Sequence, residues 1–439
     1  MSSVFYRSPG HPYPRGARGE GVYLYDDTGK QYLDGSGGAA VTCLGHGHPD
    51  VIAAIKTQVD ELAYAHTSFF TNEPQEKLAA RLAERFGEEN ARIYFLSGGS
   101  EANETAVKLA RQYWLARGKP DKHIVISREQ SYHGNTLGAL SLSGNPVRRD
   151  IFGPCLHDWP RIAPCYAYRH QQDDETDDEY GERAARALEE AIVDNGADTI
   201  AAFIAETVVG ATLGAVPPTG PYLKRIREIC DRHDVLLILD EVMAGSGRTG
   251  TYFAFEQDGV RPDITTIAKG LGGGYQPIAA TIVRSFVHDA IVDAFKIFEH
   301  GHTYIGHATA CAAAMAVSDV IDRDDLLTHV GNIGEELFGE LKIAFGDHPN
   351  VGNIRGRGLF IGIELVADRD TKKPIDRNYG GRLKGAGMDK GLIIYPGGRT
   401  ADGEQGAHIL LAPPFIYEPK HVEELVSKLQ VVVKEVGLG

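Results

Sequence analysis

The sequence predicts an α/β protein: a mainly parallel sheet covered by helices on both faces, with a smaller α+β domain assembled from both chain ends. Three observations lead there. At 439 residues the chain is too long for one small core. From residue 81 to about residue 286, short apolar runs alternate with helical stretches, the signature of strand–helix–strand units. After residue 308 the alternation gives way to an Ala-rich helix, scattered strand-like runs and a closing amphipathic helix.

Taken in order, residues 21–34 read as a hairpin. Val22, Tyr23, Leu24 and Tyr25 form one arm, Asp26-Asp27-Thr28-Gly29 the turn, and Gln31, Tyr32 and Leu33 the other arm. Residues 49–62 follow as a helix, with Pro49 suited to its first turn. Strands are expected at 93–96, 123–126, 200–205, 235–239 and 264–267, and helices at 102–114, 184–193 and 221–232. The densely acidic stretch 171–182 reads as a solvated loop. Residues 308–321 form a helix linking the two parts. Strand-like runs recur at 359–365, 391–395 and 408–411. A last helix spans 419–436, with Val422, Leu425, Leu429 and Val432 on one stripe. The expected division is residues 1–62 joining the small domain, 63–307 as the large domain, and 308–439 as linking helix and small domain.

Composition narrows the function. Hydrophobic residues at 42% and charged ones at 24% suit a globular protein. A net charge of -15 argues against nucleic acid as a partner. The five cysteines are odd in number and show no CxxC spacing, so neither a disulfide framework nor a zinc ribbon is expected, and a reducing cytoplasm is. Residues 1–18 lack the apolar centre of a secretory signal, and no apolar run approaches the ~18 residues of a membrane span.

The chemistry-bearing motifs fall just after the expected strands, where ligands of such sheets sit. Ser97-Gly98-Gly99-Ser100-Glu101-Ala102-Asn103 opens a helix. Its glycines permit close backbone approach, and its free N–H groups favour an anion such as phosphate. An ordinary glycine turn with a serine cap fits equally well. Tyr132, in Tyr132-His133-Gly134, is placed to stack on a planar cofactor, although a half-buried tyrosine and a core histidine fit the same run. Asp240 ends the apolar run of residues 235–239, where a carboxylate needs a partner. A protonated pyridine nitrogen is a fitting one; a helix cap or structural ion pair is the plainer one. Val242 is placed to pack on the ring face opposite Tyr132, and Glu241 reads as structural. Lys269, in Ala268-Lys269-Gly270-Leu271-Gly272-Gly273-Gly274, follows the strand at 264–267. A desolvated lysine there suits imine formation. Together, Lys269 and Asp240 suggest a Schiff-base enzyme that uses pyridoxal phosphate.

In order and spacing these motifs resemble the class III (ω-amino acid) aminotransferases, pyridoxal-phosphate enzymes of fold type I. The likeness runs from Gly21-Val22-Tyr23 to Ala412-Pro413-Pro414. Its most specific stretch is Leu239-Asp240-Glu241-Val242-Met243-Ala244-Gly245-Ser246-Gly247-Arg248-Thr249-Gly250 with Ala268-Lys269-Gly270, and Gly301-His302-Thr303-Tyr304 adds to it. The resemblance implies that Lys269 carries the cofactor and that Asp240 binds its ring nitrogen. It also implies that Gly99 and Ser100 hold the phosphate, that Tyr132 stacks on the ring with His133 beside it, and that Glu206 lies near the ring. Thr303 is then expected to donate to the phosphate of the other subunit in a homodimer. The implied reaction is ping-pong transfer of an amino group from an amine or ω-amino acid to an oxo acid such as pyruvate or 2-oxoglutarate.

Departures from the pattern concern the substrate side. Thr207 stands where relatives often have proline. The arginine that many relatives carry just before Pro413-Pro414 is missing, and Arg399 is the nearest alternative carboxylate ligand. Phe69, Phe70 and Ala39 are expected to shape the amine pocket, though packing explains them as well. An aminomutase, racemase or decarboxylase on the same scaffold is the nearer alternative. A metal hydrolase built on His46 and His48, with His133, His302 and Asp240, is the distant one.

Overall fold

A computed structural model describes residues 3–438. Its central sheet has seven strands in the order Arg92–Leu96, Ala279–Val283, Ile264–Ile267, Leu236–Asp240, Ile200–Glu206, Ile124–Arg128 and Arg161–Ile162. The pairs from Ile264–Ile267 to Arg161–Ile162 are all parallel. Only Ala279–Val283 runs antiparallel to both its neighbours. That strand and the two-residue edge strand Arg161–Ile162 are additions to the sequence reading. Ala-Ala-Thr-Ile-Val at 279–283 is short and follows a glycine-rich turn, so it carries little strand signal.

The sheet is covered on both faces because its strands are apolar on both. Leu236 and Ile238 pack on one side with Leu109 and Trp114 from the helix Gly99–Ala116. Leu237 and Leu239 pack on the other with Leu188 of the helix Asp177–Asn195 and Ile226 of Tyr222–Arg232. Burying each such side chain stabilises the fold by about 1.5–3 kcal/mol.

The acidic stretch 171–182 is only partly the loop expected for it. Thr176 and Glu179 cap each other's backbone, and the helix Asp177–Asn195 starts inside the acidic run, where three carboxylates suit the positive end of its dipole.

The hairpin strands Tyr23–Asp26 and Gln31–Asp34 pair antiparallel, with Gly16–Glu20 added outside them. Gln31–Asp34 then pairs in parallel with Leu392–Ile393, which ties the two chain ends together. Beside them, Val351–Arg357, Phe360–Asp368, Ala407–Leu411 and Tyr395–Gly398 form an antiparallel sheet. Helices Leu326–Phe345 and Pro419–Glu435 cover these elements in a separate core. The helix Ala308–Arg323 joins the two cores. Ala310, Cys311 and Ala314 pack with the seven-stranded sheet, while Val317, Val320 and Ile321 pack with the C-terminal elements.

Candidate active site

The site forms at the carboxyl ends of the parallel strands. Lys269 follows Ile264–Ile267 and opens a single tight turn at φ 47°, a left-handed conformation that costs a side-chain-bearing residue about 1–2 kcal/mol. The glycines after it make the turn possible: the N–H groups of Gly272 and Gly273 both donate to the Lys269 carbonyl at 3.1 Å. Burial pushes the Lys269 amine down from 10.5 to about 8; Asp240 and then Glu206 oppose this, and Arg148 adds to it. The carboxylates and Arg148 therefore lie within electrostatic reach of the amine.

Asp240 is 4% exposed, too deep for an unpaired charge. Its Oδ2 accepts from Asn103 Nδ2 at 2.8 Å and lies 2.8 Å from His133 Nδ1, and its Oδ1 accepts from the Val242 N–H at 3.0 Å. Asn103 is held in turn, donating to the His133 carbonyl at 2.7 Å and accepting from the Thr266 hydroxyl at 2.8 Å. The carboxylate is thus clamped in one orientation. Asn103 lies within the quoted glycine–serine motif, yet nothing there showed its role, because its partners come from other strands. The buried His133 Nε2 has no hydrogen-bond partner.

Glu206, at the end of its strand, accepts from the Tyr132 N–H at 3.0 Å and the Gly210 N–H at 2.9 Å. Burial pushes its carboxyl up, His133 opposes this and Asp240 adds to it. Its neighbour Thr207, the departure from proline, donates its hydroxyl to Glu241. Glu241 also accepts from the Ala254 N–H at 2.8 Å and the Phe255 N–H at 3.1 Å, and burial raises its carboxyl to about 7. Glu241 is therefore structural, as expected, and Thr207 is one of its partners.

The helix Gly99–Ala116 starts without a side-chain cap on its first N–H groups. A Cβ built on Gly99 would lie 2.8 Å from Val242 Cγ1, so Gly99 and Val242 face each other across a narrow gap. The Ser100 hydroxyl donates to Asn135 Oδ1 at 2.8 Å and accepts from the Asn135 N–H at 3.0 Å. Gly134, at φ 147°, passes so close that a Cβ there would lie 2.5 Å from Ser100 Oγ. The result is an anion cradle of backbone N–H groups, a buried amine, a clamped carboxylate and the Tyr132 ring. These parts suit pyridoxal phosphate: an anion end, an aldehyde, a ring nitrogen and a flat face. Arg148, which the sequence did not single out, lies with its guanidinium 4.3 Å from the Tyr132 ring centre.

Not every expected residue joins this cluster. Gly38 borders the adjoining cleft, and Ala39 after it is half-buried. Arg399 also lines that cleft. It sits at φ 63°, with its N–H donating to the Gly406 carbonyl at 2.7 Å. Phe69 and Phe70 are 80% and 67% exposed, and Thr303 is exposed with its carbonyl accepting from the Tyr64 hydroxyl. A single chain leaves these three outside the cluster. The proposed metal set is dispersed: His46 Nε2 lies 3.0 Å from Asp34 Oδ2, His302 Nε2 lies 2.9 Å from Ser97 Oγ, and His133 stays on Asp240. Among the described residues, no group of three or more His, Cys, Asp or Glu is placed to hold a metal ion.

Comparison with known proteins agrees with this geometry. The family described as aminotransferase class-III matches residues 8–433. The chain is a class III aminotransferase. An uncharacterized aminotransferase of Schizosaccharomyces pombe is 44% identical to it over 433 residues, spanning 98% of this chain and 94% of its own. Gamma aminobutyrate transaminase 3 of Solanum lycopersicum is 37% identical over 435 residues, spanning 95% and 80%. The crystal structure of an amine transaminase from an uncultivated Pseudomonas species, in its PLP-bound form, matches with a TM-score of 0.92 and 37% identity over 100% of this chain and 98% of that one. The aminotransferase therefore has the fold of the fold-type I pyridoxal-phosphate enzymes. Among its described residues, no helix is long and apolar enough to cross a membrane.

Proposed function

We propose that the protein transfers an amino group from an amine or ω-amino acid to an oxo acid, using pyridoxal 5'-phosphate and acting as a homodimer in the cytoplasm. The observation that carries this reading is the placement of Lys269 just beyond the end of the strand that pairs in parallel with the one ending in the clamped Asp240 carboxylate. When bound, pyridoxal phosphate supplies an aldehyde that joins amines covalently and a cationic ring that draws electrons from the neighbouring carbon.

Each residue then has a defined task. The open N–H groups of Gly99 and Ser100 receive the phosphate at the positive end of a helix. Thr303 of each chain serves the phosphate in the other, which accounts for its exposure in a single chain. Asp240, held by Asn103 and His133, keeps a proton on the ring nitrogen. Tyr132 and Val242 would cover the bound ring, and Glu206 fixes the Tyr132 backbone. Lys269 Nζ, partly neutral at physiological pH, takes the proton from the amine-bearing carbon and returns it on the other side of the exchange. The amino group stays on the enzyme between donor and acceptor, so ping-pong kinetics follow. The likeness to the tomato transaminase supports an ω-amino carboxylate as donor, with Arg399 as the carboxylate ligand. The test is Lys269→Ala. The reading expects loss of the visible absorbance band of the holoenzyme and of turnover; full turnover by the variant would overturn it.

A further inference from the structure

The cleft beside the site holds more positive charge than one carboxylate requires. Its volume is about 640 Å³, and Arg7, Arg148, Arg377, Lys384 and Arg399 all border it. No aspartate or glutamate lines it. None of the five cations lies within 4.0 Å of a carboxylate among the described residues. The chain as a whole is acidic, with 60 acidic residues against 45 basic ones. Elsewhere several arginines are taken up by carboxylates, Arg81 and Arg85 by Asp322, Arg169 and Arg355 by Glu364, and Arg357 by Asp258, and others, such as Arg111 and Arg248, donate to backbone carbonyls. Unpaired cations gathered in one concave place focus a positive field there, against the sign of the whole molecule.

The cations are not there for the cofactor. Its phosphate is assigned to the helix start at Gly99 and Ser100, and neither residue borders the cleft. They also come from separate parts of the chain. Arg7 precedes the first strand, and Arg148 lies over Tyr132 at the reacting end. Arg377 and Lys384 lie just before and within the helix Tyr379–Asp389, and Arg399 follows the strand Tyr395–Gly398. The loop that carries Arg399 is firmly held. The Thr400 hydroxyl lies 2.6 Å from His408 Nδ1, and the Thr400 carbonyl accepts from Gln130 Nε2 at 3.1 Å. Gly397 packs so tightly on the His408 ring that a Cβ would lie 2.2 Å from it. One guanidinium is enough to bind one carboxylate in two-pronged fashion.

We propose that the cleft selects an amine donor that carries two negative charges away from the reacting amine, as a phosphoryl group or as two carboxylates. This rests on the aminotransferase reading and specifies its substrate. Holoenzyme is assayed at pH 8 with 4-aminobutyrate, 3-aminopropyl phosphate and 3-(aminomethyl)pentanedioate, which carry one, two and two negative charges away from the amine. The expected result is that kcat/KM for at least one dianionic donor exceeds that for 4-aminobutyrate by about tenfold or more, the scale of one added charge-assisted hydrogen bond. The preferred donor tells the phosphoryl source from the dicarboxylate one. In the double variant Arg377→Gln with Lys384→Gln that preference falls to about threefold or less, while 4-aminobutyrate turnover stays within about twofold and added salt has less effect. Calorimetry of propyl phosphate against butyrate, on holoenzyme and on the variant, reads the same selectivity without turnover. A monoanionic donor equal to or better than both dianions, or a variant that weakens all donors alike, overturns the proposal. If no amine shifts the absorbance of the bound cofactor, the aminotransferase reading itself fails; if 4-aminobutyrate shifts it and is preferred, only the dianion proposal does.

Discussion

The Lys269 amine should titrate near pH 8 even in cofactor-free protein. Burial is the main cause, moving the group from 10.5 to about 8; the carboxylates of Asp240 and Glu206 pull the other way, and Arg148 works with burial. At pH 7.4 a group with that midpoint is neutral in about a fifth of molecules, whereas an ordinary lysine is neutral in about one in 1,000. Roughly 200 times more molecules therefore hold a nucleophilic amine, before any cofactor is present. Two substitutions test the causes separately. Asp240→Asn removes an attractive negative charge and should move the midpoint below 8. Arg148→Leu removes a repelling positive charge and should move it above 8. The assay is pulse acetylation of cofactor-free protein across a pH series. Mass spectrometry of the Lys269 peptide reports the site, and the other lysine peptides serve as internal references. A wild-type midpoint of 10 or above, or two substitutions that shift it in the same direction, would refute the reasoning.

Three further outcomes follow from the geometry. Glu241 has a folded-state value raised to about 7 from 4.5, so its contribution to stability is complete below pH 4.5 and is lost as the pH rises through 7. Glu241→Gln should therefore gain stability relative to wild type between pH 4.5 and 8, by up to about 3 kcal/mol, in paired denaturant titrations; a gap that does not change with pH would count against the buried carboxyl. Gly134→Ala places a methyl against Ser100 Oγ and Ala139 Cβ at a φ of 147°, so the Kd for pyridoxal phosphate should rise about tenfold or more in fluorescence titration and the melting temperature of the cofactor-free protein should fall as well. Glu364 is fully buried between Arg355 and Arg169, and its carboxyl is held below the usual range, with burial opposed by those two cations. Glu364→Ala should cost about 3–5 kcal/mol in urea unfolding, because it strands two buried guanidinium groups.

The parts of the fold that were readable in the sequence are those with strong local signals. The run ending at Asp240 is apolar on both faces, so it reads as a buried strand without any knowledge of its neighbours. The stripe of Val422, Leu425, Leu429 and Val432 likewise reads as a helix and is one, from Pro419 to Glu435. Ala279–Val283 is small and weakly patterned, and only its two antiparallel partners make it a strand. The start of Asp177–Asn195 was hidden because high charge outweighed the reciprocal Thr176–Glu179 cap.

In the site, Lys269, Asp240, Gly99 and Tyr132 could be picked out because each follows a strand in a turn whose residue types already suggest chemistry. Asn103, Arg148 and the Thr207–Glu241 pair could not, because their roles depend on side chains that lie 16 or more positions away. Sequence alone determined the alternation of strands and helices, and hence that the strand ends would face a ligand. It also placed a lysine and an aspartate at two of those ends. Only the tertiary structure decided how Asp240 is oriented, how far Lys269 is desolvated, and which cations gather in the cleft unpaired. Local propensity acts over a few residues, whereas burial and electrostatic reach depend on which distant segments pack together.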